Sequence, residues 1–459
     1  VADDDARWLE LLKEIFGDRA EEALEEMRRM GFDPDRLALD SGVGDVPGLL
    51  EHMVRQLRSL MEQSEGQDVN WALTQEVARG VSAQGGDPVV TAASADEHRG
   101  AITEAELWLD AATDLPPSTL PPRIWSRAEW VEATLPTWRV LAGPVAVSVS
   151  RALAELIGRE GVGEGALLNQ ISPTVCGMHM GQAAGTLARE TFGGTDLGLL
   201  LLPEPRVALI PHSIAGFSEG LDIPVDEVRT FVALRECAHV RLFLHAPWLT
   251  GQLHSSIERY AKGISIDPEA LDRAVREAGA GDPANLQRAL SRGIFASTHS
   301  DDQLATLATI ETLLALVEGW VETIVEAASA PHLPHLQPLG EMIRRRRAAG
   351  GPAEHTFATL LGLDLRPRRL REAASLWDSL TTKVGSDGRD AVWSHPDLLP
   401  EARDLDDPTA WIASRSLGET GDEVDRELRK ILSEPPPDAP SPGNDDGESD
   451  DTTSPEPPA

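Results

Sequence analysis

Arg235, Glu236 and His239 lie within five residues of one another in the stretch "FVALRECAHVRLFLH", residues 231–245. A helix that carries His-Glu-x-x-His offers two imidazoles one turn apart as zinc ligands, with a carboxylate beside them as general base for hydrolysis. Here Glu236 stands three residues before His239, the relation that base bears to the second ligand. Arg235 occupies the position of the first imidazole. The string alone is a weak signal, because Glu and His three apart also occur on many helices that face water.

A second run, "TLLALVEGWVETIVEAA", adds carboxylates. Glu311, Glu318, Glu322 and Glu326 fall at spacings of seven and four, which sets them on one stripe of a helix, with no basic residue at i+4 inside the run. Carboxylates on an apolar helix need solvent, an arginine or a metal, since an unpaired buried charge costs several kcal/mol. Spacing alone favours a stripe that faces water. His245, six residues after His239, is a further candidate ligand, but six helical residues rotate by about 240°. It is expected to point away from His239 unless the helix breaks first.

Other strings resemble sites without the context that chemistry needs. "GFSEG", residues 216–220, has the spacing of a nucleophile elbow, which requires a strand ending at the serine and a helix starting just after it. Pro211 ends the only nearby strand early and the next helix is expected near Pro224, so Ser218 is not read as a nucleophile. "GVGEG", residues 161–165, lacks the spacing of a phosphate loop. "RRRR", residues 344–347, is read as serving the C-terminal end of a helix. His179, His212 and His254 are read as ordinary helix or loop histidines.

The elements that must position these residues are mostly helical. Pro224, Asp226 and Glu227 suit the first turn of a helix whose buried stripe is Val228, Phe231, Val232, Leu234, Leu242 and Phe243. "RVALIP", residues 206–211, is the clearest strand. Gly177, Gly181 and Gly185 share one helical face and predict close helix packing. "RPRRLREAASLWDSLTTKVGSDGRDAVWSHPDLLP" reads as a helix, a glycine turn and an extended Pro-rich segment. The organisation expected is amphipathic helices and a linker over 1–48, a helical body over 49–433 with a C-terminal lobe from about 340, and a disordered acidic Pro-rich tail over 434–459.

A formal net charge of −35 over 459 residues repels polyanions, so neither nucleic acid nor a membrane is an expected partner; a peptide or protein remains open. Arg151, Gln182, Arg189 and Glu318 interrupt the most apolar windows. The two cysteines, Cys176 and Cys237, offer no CxxC and predict no disulfide framework, which fits a reducing cytoplasm.

Taken together, "IPVDEVRTFVALRECAHVRLFLHAPWL", "LALVEGWVETIV" and the later "GGPAEHTFATLLGLDLRPRRLREAASLW", "GRDAVWSHPDLLP" and "DLDDPTAWI" resemble the zincin-like metallopeptidase family, a bacterial group classed with hydrolases. The resemblance runs from about Asn70 to Trp411. It implies a mainly α, zincin-like fold with a few short strands near the active-site helix, and a metal-dependent hydrolase as the function. It also implies roles: Glu236 as general base, His239 as a metal ligand, and Glu318 of the Glu-Gly dipeptide as the third ligand. Arg235 departs from the pattern and puts zinc in doubt, because one imidazole and one carboxylate are two short of a four-coordinate site. An always-charged guanidinium could instead fill the metal's charge position and hold Glu318 or Glu322 in a bidentate pair. The chain would then be an inactive zincin-like binding or scaffold protein.

Overall fold

The structure is a computed structural model that describes residues 68–160, 165–264, 300–348 and 369–418. The expectations for residues 1–48 and for the 434–459 tail lie outside the described residues. The architecture is mainly helical with one very small sheet. In chain order the elements are α1 (Trp71–Ser82), α2 (Ala92–Leu109), β1 (Arg123–Ile124), α3 (Arg127–Glu160), α4 (Gly165–Ala188), β2 (Ala208–Leu209), α5 (Pro211–Ser218), α6 (Val225–His245), α7 (Pro247–Lys262), α8 (Asp301–Ser329), α9 (Leu336–Ala348), α10 (Leu370–Asp390) and α11 (Pro408–Gly418). One compact unit extends to Pro408 and a second begins at Thr409, where the described part is the remainder of α11.

α6 forms the centre. From Val228 to Phe243 nearly every side chain is buried, so this helix has no solvated face; the stripe expected from the sequence is only part of what it buries. It packs against α2 and α8, and α8 packs in turn against α7 and α10. Acidic Asp226 and Glu227 lie in the first turn of α6, where they complement the positive end of the helix dipole. α8 starts at a capping box, in which the Ser300 hydroxyl accepts from the Gln303 backbone and the Gln303 side chain accepts from Ser300. By length and composition α8 is apolar enough to cross a bilayer, yet most of that stretch is buried inside the protein, where it forms core.

Glycine sets the tightest packing. A Cβ on Gly177, Gly181 or Gly185 of α4 would lie 2.6, 2.7 or 2.5 Å from a backbone carbonyl oxygen of Asn70, Thr74 or Ala78, so α1 and α4 approach at backbone distance. Two buried arginines tie other elements together. Arg241 of α6, 1% exposed, donates to Glu106 and Asp110 on the last turn of α2 and to the carbonyl of Leu115. Asp390 accepts from Arg389, Thr113 and the Trp320 indole, joining α10, α2's exit and α8.

The few short strands expected are a parallel pair, of which residues 206–211 supply one member: Arg123 faces Ala208 and Ile124 faces Leu209, and Gly193 forms an antiparallel bridge to Leu209. Pro211 does not only end that strand. It opens the helix α5, an element absent from the sequence reading, because its fixed φ and missing N–H suit a first helical turn. Within α10 the glycine turn falls at Gly385, with φ +78°, where the helix kinks, and the segment after α10 winds into short 3-10 turns at Ala391–Ser394 and Pro396–Leu398 instead of running extended.

Candidate functional site

Because α6 is buried on all sides, its polar residues are interior groups. Arg235 is 9% exposed, Glu236 4% and His239 fully buried. α8 crosses beside it and presents Glu318, 1% exposed. Gly319 explains how α8 sits where it does: a Cβ there would lie 2.7 Å from the backbone nitrogen of Ala374, so the glycine after Glu318 lets α10 pack against the far side.

Three groups converge on the Glu318 carboxylate. Arg235 donates from Nη2 to Oε2 at 2.6 Å, His239 Nε2 lies 3.0 Å from Oε1, and Arg347 Nη1 lies 2.7 Å from Oε1. Burial alone would raise the carboxyl's pKa, but Arg347, His239 and Arg235 together outweigh it and hold the group well below the ordinary carboxylate range. His239 Nδ1 lies 2.7 Å from the Arg235 carbonyl, one turn back along α6. The carbonyl only accepts, so Nδ1 is the donating nitrogen of that bond and Nε2 is the one that faces the carboxylate.

Glu236 faces a different surround. Its Oε1 accepts from the backbone N–H of Gly194 at 2.8 Å and of Ala208 at 3.3 Å; its Oε2 accepts from the Thr195 hydroxyl at 2.5 Å and the Thr195 N–H at 3.2 Å. Burial pushes its pKa up, against the lowering effect of these bonds and of His239. The loop that supplies the donors is packed onto it. A Cβ on Gly193 would fall 2.6 Å from Oε2 and 2.4 Å from the Ala208 carbonyl oxygen, and the Trp130 indole holds the Gly193 carbonyl at 2.8 Å. A general base needs a free lone pair near a reacting proton. This carboxylate is turned into a backbone cradle.

The four arginines of α9 were read from sequence as serving a helix end, and the structure corrects this. They do lie in its last turns, but three reach inward. Arg347 meets Glu318 and the Asp196 carbonyl, Arg346 donates to the Glu190 carbonyl and stacks 4.2 Å over the Phe192 ring, and Arg344 pairs with Glu322 at 2.6 Å. Arg347 is thus a member of the site that sequence reasoning missed; the signal available was four adjacent cations in a chain with a surplus of acids. Glu322 correspondingly is the partner of Arg344, not of Arg235. The contact of Arg235 with Glu318 is made by one nitrogen, not the bidentate fork that sequence suggested.

The remaining candidates separate. The glutamate stripe does not simply face water: Glu318 is buried, Glu311 and Glu322 are half-buried, and only Glu326 is exposed, where it accepts from Gln337. α6 continues unbroken to His245, whose Nε2 is buried without a hydrogen-bond partner among the described residues and is not part of the Glu318 cluster. Ser218 ends α5 and its hydroxyl donates to the Ala215 carbonyl.

The donor set can be compared with what zinc requires. A catalytic zinc takes three protein ligands and a water. Among the described residues no three His, Cys, Asp or Glu side chains come together, and the pair His239 and Glu318 shares its space with two guanidiniums. As arranged, these residues do not fit a zinc ion.

Comparison with known proteins places the chain. No curated protein matches it. One solved structure does, that of a protein from Chloroflexus aurantiacus described as a provisional hydrolase with a novel fold: it shares 19% identity and a TM-score of 0.55, over 76% of this chain and 99% of that one. At that identity the likeness is one of fold. Residues 69–412, which include α6, α8 and α9 with the whole Glu318 cluster, match the zincin-like metallopeptidase family. By that match over most of its length, the chain belongs to the zincin-like metallopeptidase family.

Proposed function

We propose that this chain is a non-catalytic binding or scaffold member of its family, in which a buried ion cluster replaces the metal and the partner is a peptide or protein. The observation that carries this reading is the company of Glu318: Arg235, Arg347 and His239 on one buried carboxylate. Arg235 stands where the family pattern has its first imidazole. Its guanidinium supplies the positive charge that a zinc ion would bring, without a Lewis-acid orbital or a bound water. Glu236, the residue matching the general base, is engaged by four donors. In this arrangement the charged groups hold α6, α8, α9 and the 190–198 loop together.

A metal-dependent hydrolase is the second reading, supported by family membership and by the orientation of His239. With Nδ1 donating to a backbone carbonyl, Nε2 is the nitrogen aimed at Glu318, which is how a ligating imidazole is commonly oriented. This reading requires Arg235 and Arg347 to leave the carboxylate. The two are separated by assaying peptide and ester hydrolysis with and without added zinc, using Glu236→Gln as the control. The proposal expects no turnover above that control; zinc-dependent turnover lost in Glu236→Gln would replace it with the hydrolase.

A further inference from the structure

α9 lies over Glu318 with an imperfect fit. A cavity of about 30 Å³ separates Gly340 and Ile343 of α9 from Arg235, Glu318 and Val325 beneath it. Surface that faces a void forfeits the dispersion contacts of a close-packed interior. The apolar anchors of α9 are Leu336, Leu339 and Ile343, and the rest of its hold is ionic: Arg344 on Glu322, Arg346 on the Glu190 carbonyl, and Arg347 on Glu318 and the Asp196 carbonyl. Gly340 weakens the helix itself. No close approach requires that glycine, because a Cβ there would meet nothing beyond the local backbone nearer than an Arg344 nitrogen at 3.7 Å. Glycine inside a helix favours the unwound chain by about fivefold relative to alanine. A segment with few apolar anchors and a weak helix opens locally, ahead of the whole fold.

The surface under α9 has a definite chemistry. With α9 lifted, Glu318 loses Arg347 and Glu322 loses Arg344, while Phe231 and Val325 beside them lose their cover. The strip of α6 and α8 so uncovered is apolar with an acidic edge. We infer that α9 is a strap over a docking groove, and that the groove takes a basic amphipathic helix of a protein partner in place of α9. The template for the partner is α9 itself. Leu336, Leu339 and Ile343 stand at i, i+3 and i+7 on one stripe, and Arg344 and Arg347 follow at i+8 and i+11 to reach Glu322 and Glu318. A net charge of −35 draws a cationic helix toward the chain from a distance. The inference rests on the reading of a peptide or protein partner given above, and adds that partner's chemistry and its competitor within the chain.

Hydrogen exchange on the full chain reads the strap: amides of α9 are expected to exchange at least about tenfold faster than those of α6 and α8. The groove is probed by fluorescence anisotropy with a labelled peptide of residues 334–348. A scrambled peptide of the same composition controls for unspecific attraction to an acidic chain and is expected to bind at least about tenfold more weakly. In the full chain, Gly340→Ala fastens the strap and should weaken binding of the native-order peptide by about fivefold. Arg344→Gln with Arg347→Gln loosens the strap and should tighten that binding. Gly340→Ala leaves every ionic contact in place, so the test survives a failure of the double variant to fold. Exchange of α9 no faster than α6 and α8, equal binding of the two peptides, or a Gly340→Ala chain that binds as the native chain does overturns this inference alone. Mass spectrometry of the recovered peptide separates it from the reading it rests on. An intact peptide is expected; a peptide that binds as described but is cut when zinc is added overturns the non-catalytic reading and leaves the groove standing.

Discussion

The guanidinium of Arg235 and the carboxylate of Glu318 meet at 2.6 Å across the contact of α6 and α8, with the pair about nine-tenths buried on the arginine side and almost wholly buried on the glutamate side. Neither residue carries the arrangement alone, because Glu318 Oε1 is shared by His239 and Arg347. The carboxylate is the hub, and the two guanidiniums and the imidazole are its spokes.

That asymmetry sets the cost of removing each partner. Glu318→Gln leaves several buried donors facing a neutral amide and is expected to destabilise the fold by about 3–5 kcal/mol, the range for breaking a buried ion pair from one side. Arg235→Ala should cost less, since Arg347 and His239 remain on the carboxylate. Denaturant unfolding of both single variants and the double variant reads the coupling, expected at about 1–3 kcal/mol. Strictly additive losses would mean that the contact between the two residues has no energetic weight.

The two buried glutamates should respond to pH in opposite directions. Glu318 has a folded pKa held below the usual value, so its contribution is complete above the unfolded carboxyl pKa, about 4.3, and is lost as pH falls through the folded value. The stability difference between the native chain and Glu318→Gln should therefore be flat above about pH 5 and shrink on acidification. Glu236 has a raised pKa, so its contribution is complete below about 4.3 and declines as pH rises through the folded value. Thermal midpoints of both Gln variants across a pH series check the signs. The same slope for the two would contradict these environments.

The cradle of Glu236 predicts a sharp intolerance at one small residue. Gly193→Ala puts a methyl 2.4 Å from the Ala208 carbonyl oxygen and 2.6 Å from Glu236 Oε2, and backbone is the harder of the two to displace. The expected loss is about 1–3 kcal/mol, as for overpacking in a close-packed interior. Thr195→Val removes the shortest bond to Glu236 and should cost a similar amount by leaving part of a buried carboxylate unsatisfied. Wild-type thermal midpoints in both variants would show that the loop does not hold this side chain.

What the sequence could reveal follows from how local each signal is. The helical character of the chain and the three-glycine face of α4 were legible because they are periodicities within one segment; that α6 and α8 share a site was implied only by the family resemblance. The burial of Glu318 was not: its spacing is equally that of a wet stripe, and only the crossing of α6 and α9 closes it off. Arg347 was hidden for the same reason, since its partner lies 29 positions upstream and "RRRR" carries a ready local explanation at a helix end. α5 was missed because Pro211 was taken as a strand terminator, although proline both ends a ladder and starts a helix. The 193–195 cradle has no pattern of its own beyond two glycines and a threonine, and its function as a set of donors exists only once β2 and α6 lie against it.

Zinc content tests the central claim most directly. The chain, purified and dialysed against a weak chelator, is analysed for zinc per polypeptide beside two variants, Arg235→His and Arg235→His with Arg347→Ala. If the guanidiniums stand in the place of the metal, the native chain retains far less than one zinc. Arg235→His, which supplies the imidazole one turn from His239, should then retain more, and the double variant, relieved of the second guanidinium, the most. One zinc per native chain that survives dialysis and is lost on His239→Ala or Glu318→Ala would contradict the account, and would place a metal where it puts an arginine.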